Sequence, residues 1–245
     1  MIRRTFGASL MSMSSKAGKA LAPCPLNTAP LVEVVSVATT SFSGDLLVVP
    51  FYKPVIGTVS PKESAGAIAV ALKQAIPDLS LDLKKLVGDI IDEHTFKGDD
   101  ASKALVRAYG LTSNVKYVAL VGLGASPKEG AVGEAAAVRI AAALGKTIAA
   151  LAKETSAESV AASLLPGANS ATVHPILLGM QDALYVDERF KKVPEGGFPV
   201  PKWKSLTFLG ASKEVTEHTA QTQKLSRTIA SGVHFAKDLV GESLP

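Results

Sequence analysis

The chain has 245 residues, 47% hydrophobic and 20% charged, an ordinary globular balance and enough to bury one sizeable core. Arg3, Arg4, Lys16 and Lys19 precede the first acidic residue, Glu33, and supply the whole formal net charge of +4, so the remainder is neutral and lacks the footprint of a nucleic-acid binder. A single cysteine, Cys24, excludes an internal disulfide or a thiolate metal site, and the Ala-rich stretch from Val132 to Leu151, the closest approach to a membrane span, is interrupted by Glu134, Arg139 and Lys146.

In chain order, residues 1–30 are basic, rich in Ser and Ala and free of acids, the composition of an organelle transit peptide. That reading places the protein in a mitochondrion or plastid; a merely disordered tail would leave it cytoplasmic. Leu31–Thr40 is rich in β-branched residues and reads as a strand. A turn at Ser43-Gly44 leads to a buried strand, Leu46–Phe51, ended by Pro54. The two strands and their short turn suggest a pair within a mixed sheet. Pro61, with Ser60 as N-cap, opens a helix whose Ile68, Ala71, Leu72, Ala75 and Ile76 share one face, and Pro77 stops it. Leu79–Glu93 is a second amphipathic stretch. The FKGDD segment (96–100) is a loop and SKALVRAYGL a strand.

Val115–Gly124 (VKYVALVGLG) is an almost unbroken apolar run, expected to be a central strand buried on both faces. Ser126-Pro127 opens a helix expected from about Pro127 to Lys153. AESVAASLL is another buried strand, broken at Pro166-Gly167. A helix over Ala171–Val186 contains Pro175, expected in its first turn. A Pro- and Gly-rich loop spans Val193–Pro201, WKSLTFLG is the last strand, and Glu214–Val240 the last helix. In that helix Leu225, Ile229, Val233, Ala236 and Val240 form an apolar stripe expected to pack on the sheet. Strands alternating with helices predict an α/β fold with three layers, α/β/α, around a mixed, mostly parallel sheet.

The motifs point away from chemistry. Gly122 and Gly124 close a strand before a helix, but Pro127 stands where a dinucleotide fingerprint needs its third glycine, so the pair serves backbone geometry. The Gly145–Thr147 sequence GKT lies within a helix whose amides are already bonded, with Ile140 where a phosphate loop needs its first glycine. His94, His174, His218 and His234 have no pair at i,i+4 spacing and read as surface or capping residues. Asp99-Asp100 and Asp187-Glu188 read as solvated acidic turns. No catalytic, cofactor-binding or metal-ligating residue is assigned.

The VGLG strand end and the Ala-rich helix after it resemble the N-terminal domain of the leucine aminopeptidases of peptidase family M17. FKGDD is similar to that family's F-x-G-K-x-G loop, although Asp100-Ala101 departs from it. GMQDALYVDERFKK resembles the family's helix followed by Y-x-F-x-x-Y/R-F-K. IASGVHFAKDLVGESLP is similar to the linker helix A-x-x-G-V-x-x-A-R-D-L-V-N-x-P-x-N, with Lys237 in place of Arg and Gly241 in place of Asn. The resemblance runs from about Leu31 to the last residue. It implies a macro-domain-like fold over residues 31–228, with 229–245 starting the linker helix toward a catalytic domain. The family's two divalent metals, zinc or manganese, are held in that domain by Lys, Asp and Glu residues whose positions are not in this sequence. The resemblance further implies a homo-oligomer, a hexamer by analogy.

The leading expectation is therefore an aminopeptidase N-terminal domain that is inactive by itself and acts in assembly or regulation. A stand-alone interaction or assembly protein derived from the domain is the alternative. ADP-ribose-type ligand binding ranks below both, because the ligand-binding Asn-rich and triple-glycine loops of macro domains are missing.

Overall fold

The computed structural model describes residues 32–37, 42–54, 64–74, 79–108, 115–128, 130–164, 168–185 and 202–242. Eleven elements follow one another: β1 (Glu33–Val37), β2 (Gly44–Lys53), α1 (Ser64–Gln74), α2 (Leu81–Glu93), β3 (Lys103–Arg107), β4 (Val115–Ala125), α3 (Ala131–Thr155), β5 (Ser159–Ser163), α4 (Ser170–Leu184), β6 (Ser205–Leu209) and α5 (Lys213–Glu242). The strands form one six-stranded sheet in the order β1-β6-β5-β2-β4-β3. All neighbours are parallel except β3, which runs antiparallel to β4.

The apolar runs explain the layering. Along β2, Leu46 and Val48 enter one core while Leu47, Val49 and Phe51 enter the other. On β4, Ala119, Val121 and Leu123 face the first core and Val118 and Leu120 the second. A strand covered on both faces has no reason to alternate apolar with polar. α1 and α2 cover one face through Ile68, Leu72, Leu83, Leu86, Val87, Ile90 and Ile91. α3 and α4 cover the other through residues such as Leu144, Ile148, Leu151, Ile176, Leu177 and Met180, joined by Val215 of α5. The result is the three-layer, mostly parallel architecture expected.

Several local expectations are corrected. β1 and β2 do not pair: β1 lies at the sheet edge beside β6, and β2 lies between β5 and β4. β1 has one wet side, with Val34 buried and Val35 41% exposed, which suits an edge. β2, apolar on both sides, gains most in the middle, and the mixed character of the sheet comes from β3. β4 is buried on both faces as expected, one strand in from the β3 edge. α3 starts at Ala131 rather than Pro127, because Gly130 adopts φ 98°, a left-handed conformation that cannot belong to the helix. Pro175 sits in the second turn of α4, not the first, since that helix begins at Ser170 behind the N-cap Asn169.

The apolar stripe of α5 does not face the sheet. Leu225 is 52% exposed, Ile229 40%, Val233 45% and Val240 65%, and Ala236 is exposed as well. The buried face carries Val215, Thr219, Ser226, Ala230, His234 and Asp238 instead. The expectations for Ser60, Pro61, Ala75, Ile76, Pro77, Pro166-Gly167, Asp187-Glu188, the 193–201 loop and the 1–30 leader lie outside the described residues.

Candidate functional site

The glycines after β4 are consumed by the fold. Gly122 N donates to Ser102 O at 2.8 Å, and Gly124 N donates to Gly98 O at 3.1 Å. A β-carbon on Gly122 would lie 2.1 Å from Asp99 O, and Gly124 has φ +70°. The FKGDD loop and the residues just after it therefore fold directly onto the VGLG turn, through backbone bonds between residues 20 apart (Gly122 less Ser102) and 26 apart (Gly124 less Gly98). Phe96 anchors it edge-on against Phe51, with ring centroids 6.0 Å apart. Lys53 pairs with Asp99 at 2.5 Å. With these amides engaged, the turn has no free cradle for a phosphate.

The GKT sequence likewise serves packing. A β-carbon on Gly145 would lie 2.0 Å from Ile176 O, and one on Gly179 would lie 2.0 Å from Ala142 O. Each glycine admits the backbone of the other helix, so α3 and α4 cross at close range. Thr147 Oγ1 donates to Ala143 O within its own helix. This crossing, with the buried Leu144, Ile148 and Leu151, accounts for the long apolar sequence of α3.

The histidines divide. His94 is the C-cap of α2 and His218 is exposed on α5, as expected. His174 and His234 are corrected: both belong to the contact between α4 and α5. Ser226 Oγ donates to Thr222 O and lies 2.8 Å from His174 Nδ1. His234, 6% exposed, lies against Tyr185 with ring centroids 4.5 Å apart. Its Nε2 is buried and has no hydrogen-bond partner. Around it, Tyr185 Oη donates to Asp238 at 2.5 Å, while Asp182 bridges Lys146 of α3 at 2.7 Å and Lys237 of α5 at 2.5 Å. Hydrogen bonds from Lys146 and Lys237 outweigh burial and hold the Asp182 carboxyl at about 2. Burial, reinforced by Lys237, pushes the His234 imidazole below its usual value. Polar pairs of this kind are invisible to a hydrophobic-stripe reading, and they explain why α5 turns its apolar side outward.

A second polar node lies at the N-terminal ends of the central strands. Asp45 Oδ2 accepts from the amides of Glu158 and Ser159 at 2.9 and 3.0 Å, and Lys116 pairs with Oδ1 at 2.5 Å. Burial pushes this carboxyl up, but the Lys116, backbone and Ser159 hydroxyl hydrogen bonds together bring it down to about 2. It ties β2, β4 and β5 at their N-terminal ends and is structural. Among the described residues, no three His, Cys, Asp or Glu side chains gather as a metal-binding group.

Comparison with known proteins gives three concordant findings. The sequence model of the cytosol aminopeptidase family, N-terminal domain, matches residues 55–194. A probable cytosol aminopeptidase of Trichodesmium erythraeum is 33% identical over 160 residues, covering 64% of this chain and 29% of that protein. A solved structure of a tomato leucine aminopeptidase mutant superposes with a TM-score of 0.58 at 20% identity, covering 86% of this chain and 38% of the other. This likeness shows the fold. The chain thus spans less than a third of the length of the curated relative it matches.

Proposed function

The chain belongs to the cytosol aminopeptidase family through that family's N-terminal domain, and on that premise we propose that it is a non-catalytic docking and assembly domain. The observation that carries this reading is α5. Its polar side is latched to α4, and Leu225, Ile229, Val233, Phe235 and Leu239 are each 40–52% exposed. A helix that buries its polar face and displays its apolar one presents a surface suited to another protein body. The body that fits best is an aminopeptidase catalytic domain, joined to this chain or met as a separate subunit. Cleavage of N-terminal residues would be the work of that domain, with its own divalent metals. The whole would form a homo-oligomer, and residues 1–30 would act as a leader toward a mitochondrion or plastid.

The purified chain, supplied with zinc or manganese, is expected to release no amine from a leucyl chromogenic substrate beyond a metal-only control. Chelator-sensitive release would overturn the non-catalytic assignment. The stand-alone interaction protein is supported by the same outward face of α5 and differs only in its partner.

A further inference from the structure

The connections of the sheet open a cleft that the docking function does not use. The chain leaving β2 passes to the α1–α2 layer, whereas the chains leaving β4 and β5, its two neighbours, pass to α3 and α4 in the opposite layer. Connections that diverge to opposite faces form a crevice at the carboxyl ends of the strands, and such divergence points are where open α/β sheets take up ligands. At this point lies a cavity of about 170 Å³. Tyr52, Leu123 and Leu164 come from the strand ends, and Leu144 and Ile176 from α3 and α4. Ala137 and Ala141 keep the α3 wall thin. Larger side chains at those two positions would fill the space, as they do deeper along the same helix at Ile148 and Leu151.

We propose that this crevice binds a small, uncharged, largely apolar molecule bearing one hydrogen-bonding group. Its volume is close to that of a cavity of about 150 Å³ known to accept benzene. Its walls are mainly aliphatic, and Tyr52, Ser163 and Thr172 are the hydroxyl-bearing residues among them. Among the described residues no charged side chain lines it. A phosphate, a nucleotide or a zwitterionic amino acid would lose its hydration there without a counter-charge, a cost that a neutral molecule avoids. Thr172 Oγ1 is held by Asn169 Oδ1 at 3.2 Å. Burial pushes the Tyr52 phenol above its ordinary value, so it remains a neutral donor.

The test is a nuclear magnetic resonance titration of the isotopically labelled chain with phenol, and with benzoate as its charged counterpart. Saturable shifts confined to Tyr52, Leu123, Ser163 and Thr172 are expected with phenol, at an affinity at least tenfold above that for benzoate. Ala141→Leu fills the cavity from its floor and Ala137→Leu from its more exposed side. Whichever variant melts like the wild type is expected to weaken phenol binding at least tenfold. No saturable shift, equal response to phenol and benzoate, or undiminished phenol binding in a folded filled variant would each overturn the proposal.

Discussion

Gly145→Ala tests the close crossing of α3 and α4. The added β-carbon would meet Ile176 O at 2.0 Å and Met180 N at 2.9 Å, where ordinary contact begins at 3.4 Å. The shortfall against the carbonyl is 3.4 − 2.0, or 1.4 Å, and both atoms are backbone, so no rotamer change relieves it. The helices must part, and Leu144, Ile148, Ile176 and Met180, each at most 4% exposed, lose contact with one another. Overpacking of this kind costs about 3 kcal/mol, and the better helix propensity of Ala returns about 1 kcal/mol, leaving a net loss of about 2 kcal/mol. For a domain of this size that lowers the melting temperature by roughly 4–8 °C. Gly232→Ala is the internal control: no atom lies within 4 Å of its added β-carbon. It should gain about 0.5–1 kcal/mol and melt a few degrees higher. Differential scanning calorimetry on both variants decides. If Gly145→Ala melts as high as Gly232→Ala, α3 and α4 do not cross as described.

Acid should weaken the fold in two stages. The His234 pKa is depressed in the folded state, so its contribution is complete above the ordinary histidine value of 6.5 and is lost as pH falls through the lower folded value. Asp45 and Asp182, held at about 2 against an ordinary 3.8, contribute fully above 3.8 and lose that contribution as pH falls toward 2. Chemical denaturation across pH should therefore show a first decline below 6.5 that His234→Phe removes and a second below 4 that it leaves in place; a His234→Phe profile identical to the wild type would refute the assignment of the first. Mass spectrometry of protein from its native source should find a mature N-terminus between about Ala20 and Leu31, and an intact Met1 would contradict the leader.

Much of the architecture is readable from one-dimensional pattern because strong local signals agree with the fold. The unbroken apolar runs of β2 and β4 announce strands covered on both sides, and the three-to-four spacing of Ile68, Ala71 and Leu72 announces the face of α1. Strand order is not readable in this way. Ser43-Gly44 looks like a hairpin turn, yet whether β1 meets β2 depends on Val160, Ala161 and Ala162 of β5 taking the place beside Leu46, Leu47 and Val48 more than a hundred residues later. The outward face of α5 is hidden from the sequence for a different reason. Periodicity marks where apolar residues repeat, not what they meet. Ser226, His234 and Asp238 have partners at His174 of α4 and at its C-cap Tyr185, and those pairings are long-range chemistry that spacing does not record. The backbone of α4 that lies opposite Gly145 likewise leaves no trace in the local sequence.

The central claim is that the outward side of α5 docks a catalytic domain. It is tested most directly by multi-angle light scattering of the chain mixed with a separately produced leucine aminopeptidase catalytic domain, alongside an Ile229→Glu/Leu239→Glu double variant. Both substituted side chains are exposed, at 40% and 51%, so the variant should fold and melt like the wild type. The wild-type chain is expected to form a complex of defined mass and the variant to remain separate. A wild-type chain that stays a clean monomer, or a variant that still forms the complex, would contradict the account.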